Sequence, residues 1–210
     1  MKTFLTVVST VFLLASPWVL YWTLTHKDVT VGAIILIAWV VVRAVPIVLA
    51  AKKEQRNAAL QLPAIALVFA LAGLVSNNGL YLLVLPSATQ AAFGLTFLRS
   101  LKTTPLIEHF ARMVKTELTA PELAHCRSWT RVWGYYLFVL AAIGLVIAKL
   151  CTLGVWTLYV GVLSYVLVGL LFAVEYVVRK VEFRDYNRKN PIDLVISLFA
   201  PAPPAKDLAS

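Results

Sequence analysis

The chain has 210 residues, of which 60% are hydrophobic and only 14% charged, with a mean hydropathy of +0.83. This composition lies outside the range of soluble globular domains and leaves no room for a separate soluble domain. A net charge of +9 does not indicate nucleic acid here, because the basic residues gather at the ends of apolar runs rather than on a soluble face interleaved with aromatics.

In chain order, the first apolar run covers residues 4–24 behind one basic residue, Lys2. It stays apolar well past Ala15, whereas a signal peptide would have a shorter apolar core and a small-residue cleavage pattern, so an uncleaved signal-anchor span is expected. Trp18, Tyr21 and Trp22 fall near its far end, as an aromatic belt would. The second run, 29–51, stops at the basic stretch 52–56, which places that end in the cytoplasm. Inside it stands Arg43, three residues before Pro46. An arginine in hydrocarbon costs ~3 kcal/mol on insertion scales, and a proline frees a helix carbonyl, so this pair is a candidate intramembrane feature.

The apolar stretch 58–98 is too long for one span and is interrupted by Ser76-Asn77-Asn78-Gly79, a tight-turn signal. It reads as two antiparallel helices, 58–76 and 79–98; the alternative is one broken helix with an intramembrane site at Asn77 and Asn78. Pro63 suits an early helical turn and Pro86 predicts a bend. A fifth span is expected over 132–148 and a sixth over 155–178, with Gly161, Ser164 and Gly169 as small residues for close helix packing. The predicted architecture is all-α: a polytopic membrane bundle forming one transmembrane domain over 1–198, then a Pro/Ala-rich, disordered tail over 199–210. With both termini cytoplasmic, 17 of the 19 lysines and arginines belong to the inner segments and only Lys27 and Lys149 to the outer ones, a one-sided count even when Arg43 is discounted as intramembrane and Lys206 as distant tail. That asymmetry fits six spans under the positive-inside rule.

The one long polar interval is 99–131. Thr104-Pro105 reads as a helix N-cap followed by proline at the first helical position. From there Leu106, Ile107, Phe110, Met113, Val114 and Leu118 share one helical face, with Glu108, His109, Arg112 and Lys115 opposite, so a cytoplasmic amphipathic helix is expected. Thr119-Ala120-Pro121-Glu122 is a capping-box pattern for a second helix leading into the fifth span.

Chemistry, if present, has few places to sit. Glu108, His109 and His125 are the acid/base candidates, and Arg112, Lys115, Arg127 and Arg131 the candidates for contact with lipid headgroups or a partner. The simpler reading of all seven is a solvated face near anionic headgroups. Glu175 lies one turn before Arg179 and can pair with it locally, or across the bundle with Arg43. His109, His125 and Cys126 lack any standard metal-ligand spacing, and Cys126 has no evident base beyond its neighbour His125. Cys126 and Cys151 are expected on opposite sides of the membrane and so unbonded. No nucleotide-binding or hydrolase signature occurs, and neither a metal nor a cofactor is expected.

The motifs TPLIEHFARM, ELTAPELAHCR-x-W-T-R-x-W and LSYVLVGLLFAVEYVVRK resemble, over nearly the whole chain, a small family of bacterial inner-membrane proteins. That family accompanies aryl-polyene-type pigment genes, which encode fatty-acid-synthase-like enzymes. Its members are sometimes labelled "ketosynthase", a label this chain does not support, since such condensing enzymes are longer soluble folds with a nucleophilic cysteine and two basic partners. The resemblance implies a membrane protein serving synthesis or handling of a polyene acyl product. Three functions are open: an accessory factor whose basic loop docks an acyl carrier protein or soluble biosynthetic enzymes, a membrane enzyme modifying a lipid or acyl chain, and a small transporter using Arg43, Asn77, Asn78 and Glu175.

Overall fold

The computed structural model describes residues 15–50, 53–115 and 117–183. The start of the first apolar run, and the tail with its basic stretch after Phe183, lie outside them. Among the described residues every regular element is helical. In order they are α1 over 15–26, α2 Val29–Ala50, α3 Lys53–Ser76, α4 Leu80–Ser100, α5 Leu106–Val114, α6 Ala120–Leu150, α7 Leu153–Leu158, a π-helical turn Tyr159–Leu163, and α8 Ser164–Glu182. Among the described residues three helical stretches are long and apolar enough to cross a membrane: Leu80–Ser100, Ala120–Leu150 and Leu153–Glu182. The apolar parts of α2 and α3, Val29–Val42 and Leu60–Ser76, are shorter.

The Asn-Gly signal becomes a real break between α3 and α4. Asn77 takes the left-handed conformation with φ 46°, which asparagine tolerates better than most residues. The Asn78 N–H then donates to the Gly73 carbonyl at 3.1 Å, the six-to-one bond of a Schellman ending, and the Asn78 side chain accepts from Leu80 N at 2.9 Å. Both asparagines are therefore spent on stopping one helix and starting the next. Leu82, the first core residue after the turn, fills the space beside Gly32 and Gly73.

α4 and α6 form the tightest seam in the bundle. A methyl group at Gly134 would stand 2.5 Å from Leu98 Cδ2, and one at Gly144 would stand 2.5 Å from Ser87 Oγ. Those neighbours are ends of side chains that can shift, but a methyl group at Gly94 would stand 2.9 Å from the Gly134 backbone carbonyl, and that position admits only hydrogen if the helices are to keep this separation. Of the expected packing residues of the last span, Gly161 abuts the Trp18 ring and Ser164 is buried, while no described residue comes within 4 Å of a methyl group placed at Gly169. The small residues that matter more are on α4 and α6. α4 continues helical through Pro86, which has no N–H for the Leu82 carbonyl. One residue on, the Leu83 carbonyl accepts a bond of 3.0 Å from the Trp156 indole.

The π turn was not expected from the sequence. Its Tyr159 hydroxyl donates to the Leu140 carbonyl on α6 at 2.7 Å, and Tyr136 of α6 returns a bond of 2.9 Å to the Leu167 carbonyl on α8. These cross-ties join the last two long helices. The buried core falls into two clusters. One, near the α3–α4 and α6–α7 turns, centres on Leu82, Trp156 and Tyr159 with Leu20, Ala33 and Ala70; the other, at the opposite end, centres on Trp133 with Ile107, Ala111 and Cys126.

Candidate functional site

The second cluster carries the polar chemistry, and α6 builds it. At about 1.5 Å per residue its 31 residues reach about 46 Å, against about 30 Å of hydrocarbon, so the polar turns before Val132 stand clear of the apolar length. The helix begins where the capping-box pattern predicts. Glu122 accepts from the Thr119 N–H at 2.7 Å and from the Thr119 hydroxyl at 3.0 Å, and Lys115 closes on the same carboxylate at 2.9 Å. Burial works against ionisation of Glu122, but Lys115 and the Thr119 donors outweigh it and hold its carboxyl below the ordinary carboxylate range.

α5 is seated against α6 by its first amides. It starts at Leu106, not at Pro105, whose ψ of 140° is extended rather than helical, so the expected Thr104 cap moves by one residue. The hydroxyl that satisfies the Leu106 N–H belongs to Ser100 at the end of α4, at 3.0 Å. Thr130 of α6 accepts from the Ile107 N–H at 3.2 Å while donating to the Cys126 carbonyl at 2.7 Å. Two otherwise orphaned helix amides are thus met by side chains from two different helices. The expected apolar face of α5 is divided: Ile107 and Ala111 are buried against α6, whereas Phe110 and Met113 are turned outward, Met113 being 62% exposed.

The expected headgroup or partner cations are mostly engaged. Arg112 pairs with Glu108 one turn earlier at 2.8 Å, Lys115 with Glu122, and Arg127 donates to the Leu101 carbonyl at 2.9 Å, tying α6 to the end of α4. Arg131 is exposed. The proposed acid/base trio does not assemble. His109 is exposed with its ring edge-on to Phe110, Glu108 is taken by Arg112, and His125 is buried on α6 facing the end of α8.

There, His125 Nδ1 lies 2.7 Å from the Glu182 carboxylate, between the rings of Trp129 and Phe183. Its Nε2 is buried and has no hydrogen-bond partner among the described residues. A crevice beside it is lined by Ala111, Leu118, Glu122, Cys126, Arg179 and Phe183. Burial pushes the Cys126 thiol above its ordinary value, which works against a thiolate there. Cys126 and Cys151 are both free, and 25 residues of helix hold them about 37 Å apart. No group of three or more His, Cys, Asp or Glu among the described residues could hold a metal ion.

Glu175 lies one layer deeper, 6% exposed. The Trp133 indole donates to one oxygen at 2.7 Å and Arg179 closes on the other, so the local pairing exists. The side chain of Arg43, the alternative partner, lies outside the described residues. Phe97 stacks on one side of Trp133 and Phe172 leans on it at 4.4 Å. The sequence reading missed Trp133, Thr130, Ser100 and Glu182. A usable signal existed, since Glu175 and Glu182 are seven residues apart and share a face of α8, and Glu122, Cys126, Trp129 and Trp133 form a stripe along α6. No family model, curated protein or solved structure matches the chain.

Proposed function

We propose that the chain is a multi-pass protein of the bacterial inner membrane, with six spans and both ends cytoplasmic, that serves polyene or other acyl-lipid synthesis by docking an acidic soluble partner. The acyl carrier protein class fits that description. The observation that carries the docking is the platform made by the α4–α5 connector, α5 and the first turns of α6, on which Lys102, Arg112, Lys115, Arg127 and Arg131 are all exposed. Ion pairing does not hide them: the Arg112 and Lys115 side chains remain 45% and 46% exposed. Such a surface attracts an acidic partner and sets its orientation. The orientation of the bundle is supported by the one-sided distribution of lysine and arginine, and the acyl-lipid context by the motif resemblance alone.

Membrane lipids are the other partner. Phe110 and Met113 project beside basic residues, the arrangement of a helix resting at a headgroup boundary. The transport reading is weaker, because Asn77 and Asn78 make the α3–α4 turn and Glu175 is held by Trp133 and Arg179.

The test uses the full chain in nanodiscs of neutral lipid and a purified acidic acyl carrier protein. Lys102→Glu with Arg131→Glu, at exposed positions, is expected to weaken binding about tenfold, and added salt to weaken the wild type similarly. Binding unmoved by both would overturn the docking reading. A deletion strain profiled for pigment and lipid then shows whether an acyl product disappears; unchanged profiles would remove the biosynthetic assignment.

A further inference from the structure

The α4–α6 pair has two sides, set by one ring contact. Phe97 of α4 stacks on Trp133 of α6 at 6.0 Å, and the Trp133 indole reaches Glu175, so that side of both helices is turned into the bundle. At about 3.6 residues per turn, positions two removed from these rings point nearly the opposite way. Leu95 and Arg99 of α4 and Arg131 and Tyr135 of α6 therefore share the side away from the stack, and all four are exposed. The seam fixes their levels. Arg127 bonds to the Leu101 carbonyl at 2.9 Å and a methyl group at Gly94 would meet the Gly134 carbonyl at 2.9 Å, so in this antiparallel register Arg99 lies level with Arg131 and Leu95 with Tyr135. Lys102, also exposed, follows in the turn after α4. Four cations thus stand at one end of the seam, next to an apolar flank that continues through Val139, 55% exposed. The carboxylates of Glu108, Glu122, Glu175 and Glu182 are paired elsewhere, with Arg112, Lys115, Arg179 and His125.

We propose that this side of the α4–α6 pair holds an anionic phospholipid, its phosphate between Arg99 and Arg131 and its acyl chains along Leu95, Tyr135 and Val139. Charge complementarity selects the class. Guanidinium forks match phosphate oxygens, Lys102 and Arg127 add positive charge at the same end, and the Tyr135 hydroxyl is a further donor where aromatic side chains favour the headgroup level. A zwitterionic lipid would set its own ammonium against the same cations. The apolar flank selects a lipid over a soluble phosphate, which would leave it uncovered; basic pockets between helices at a cytoplasmic face bind such headgroups. This rests on the reading of a membrane bundle with its basic end inside. It goes beyond the docking role, because Arg99, Tyr135 and the apolar flank lie outside the platform.

The test titrates the full chain in neutral detergent with phosphatidylglycerol or phosphatidylcholine and counts bound lipid by native mass spectrometry. The wild type is expected to retain one phosphatidylglycerol about tenfold more tightly than phosphatidylcholine. Arg99→Gln with Arg131→Gln is expected to abolish that preference. Lys27→Gln with Lys149→Gln removes the same charge at the opposite end of the bundle and should leave the preference in place, with unfolding temperatures showing that both double variants are folded. The proposal is overturned if the wild type holds both lipids equally, if the Arg99 and Arg131 variant keeps the preference, or if the Lys27 and Lys149 variant loses it as well. No carrier protein is present, so a failed docking test leaves this result standing, whereas a chain that dissolves without detergent would end the membrane reading itself.

Discussion

The two ends of this bundle are held by different means. At the turn end, Leu82, Ala33 and Ala70 are 0% exposed and Trp156 1%, and the buried hydroxyls of Thr23 and Thr157 bond within their own helices. At the platform end the buried residues include Glu122, His125, Thr130 and Glu175, each bonded to another element or its lead-in. In a bilayer an apolar side chain gains little by leaving lipid for protein, so the turn end is stabilised mainly by close fit, to which the Trp156 and Tyr159 bonds to backbone carbonyls are added. At the platform end Glu175, which lies within the last long apolar stretch, has no substitute partner in hydrocarbon. One end therefore sets the shape, and the other makes that shape depend on specific bonds.

The sharpest way to break this comparison is at Glu175. Glu175→Ala leaves the Arg179 guanidinium and the Trp133 indole without their shared acceptor, and is expected to cost about 3 kcal/mol of stability, read from reversible unfolding in mixed micelles. Glu175→Gln keeps an acceptor for Trp133 and should cost less. Next comes the seam. Gly134→Leu forces α4 and α6 apart and is expected to cost about 2 kcal/mol in the same assay, with no effect on histidine NMR signals at the platform if the ends are independent. Trp156→Phe removes one cross-helix bond to the Leu83 carbonyl and should cost about 0.6 kcal/mol, the usual size of such bonds in membrane bundles. A loss as large as that of Glu175→Ala would erase the distinction between the ends.

The smallest effect is a pH dependence. Glu122 releases its proton more readily folded than unfolded, so its contribution is present above the ordinary carboxylate range and is lost as pH falls through the lowered folded value. Amide exchange in α5 should accelerate on acidification through that window. Lys115→Ala should flatten the dependence by a few tenths of a kcal/mol, since the Lys115 side chain is half in water.

Much of the helix order was legible because the signals were local. The Thr119 to Glu122 pattern, the Asn77-Asn78 turn and the apolar run of α6 each depend on a few adjacent residues. The platform as a site was not legible, because its bonds join distant residues: Ile107 to Thr130, Trp133 to Glu175, His125 to Glu182. Histidine identity alone could not separate His109 from His125. The difference lies in α6 turning His125 toward α8 while the short α5 leaves His109 in water.

Ser100 and Thr130 carry a consequence beyond capping. One hydroxyl sits at the end of α4 and the other within α6, and both hold consecutive amides of a nine-residue helix that is too short to persist by itself. A slide of α4 along α6 by even part of a turn would pull one hydroxyl away from its amide while the other stayed. The short helix is therefore a gauge of the register between two long apolar helices, and anything that grips α5 also grips the alignment of the pair beneath it.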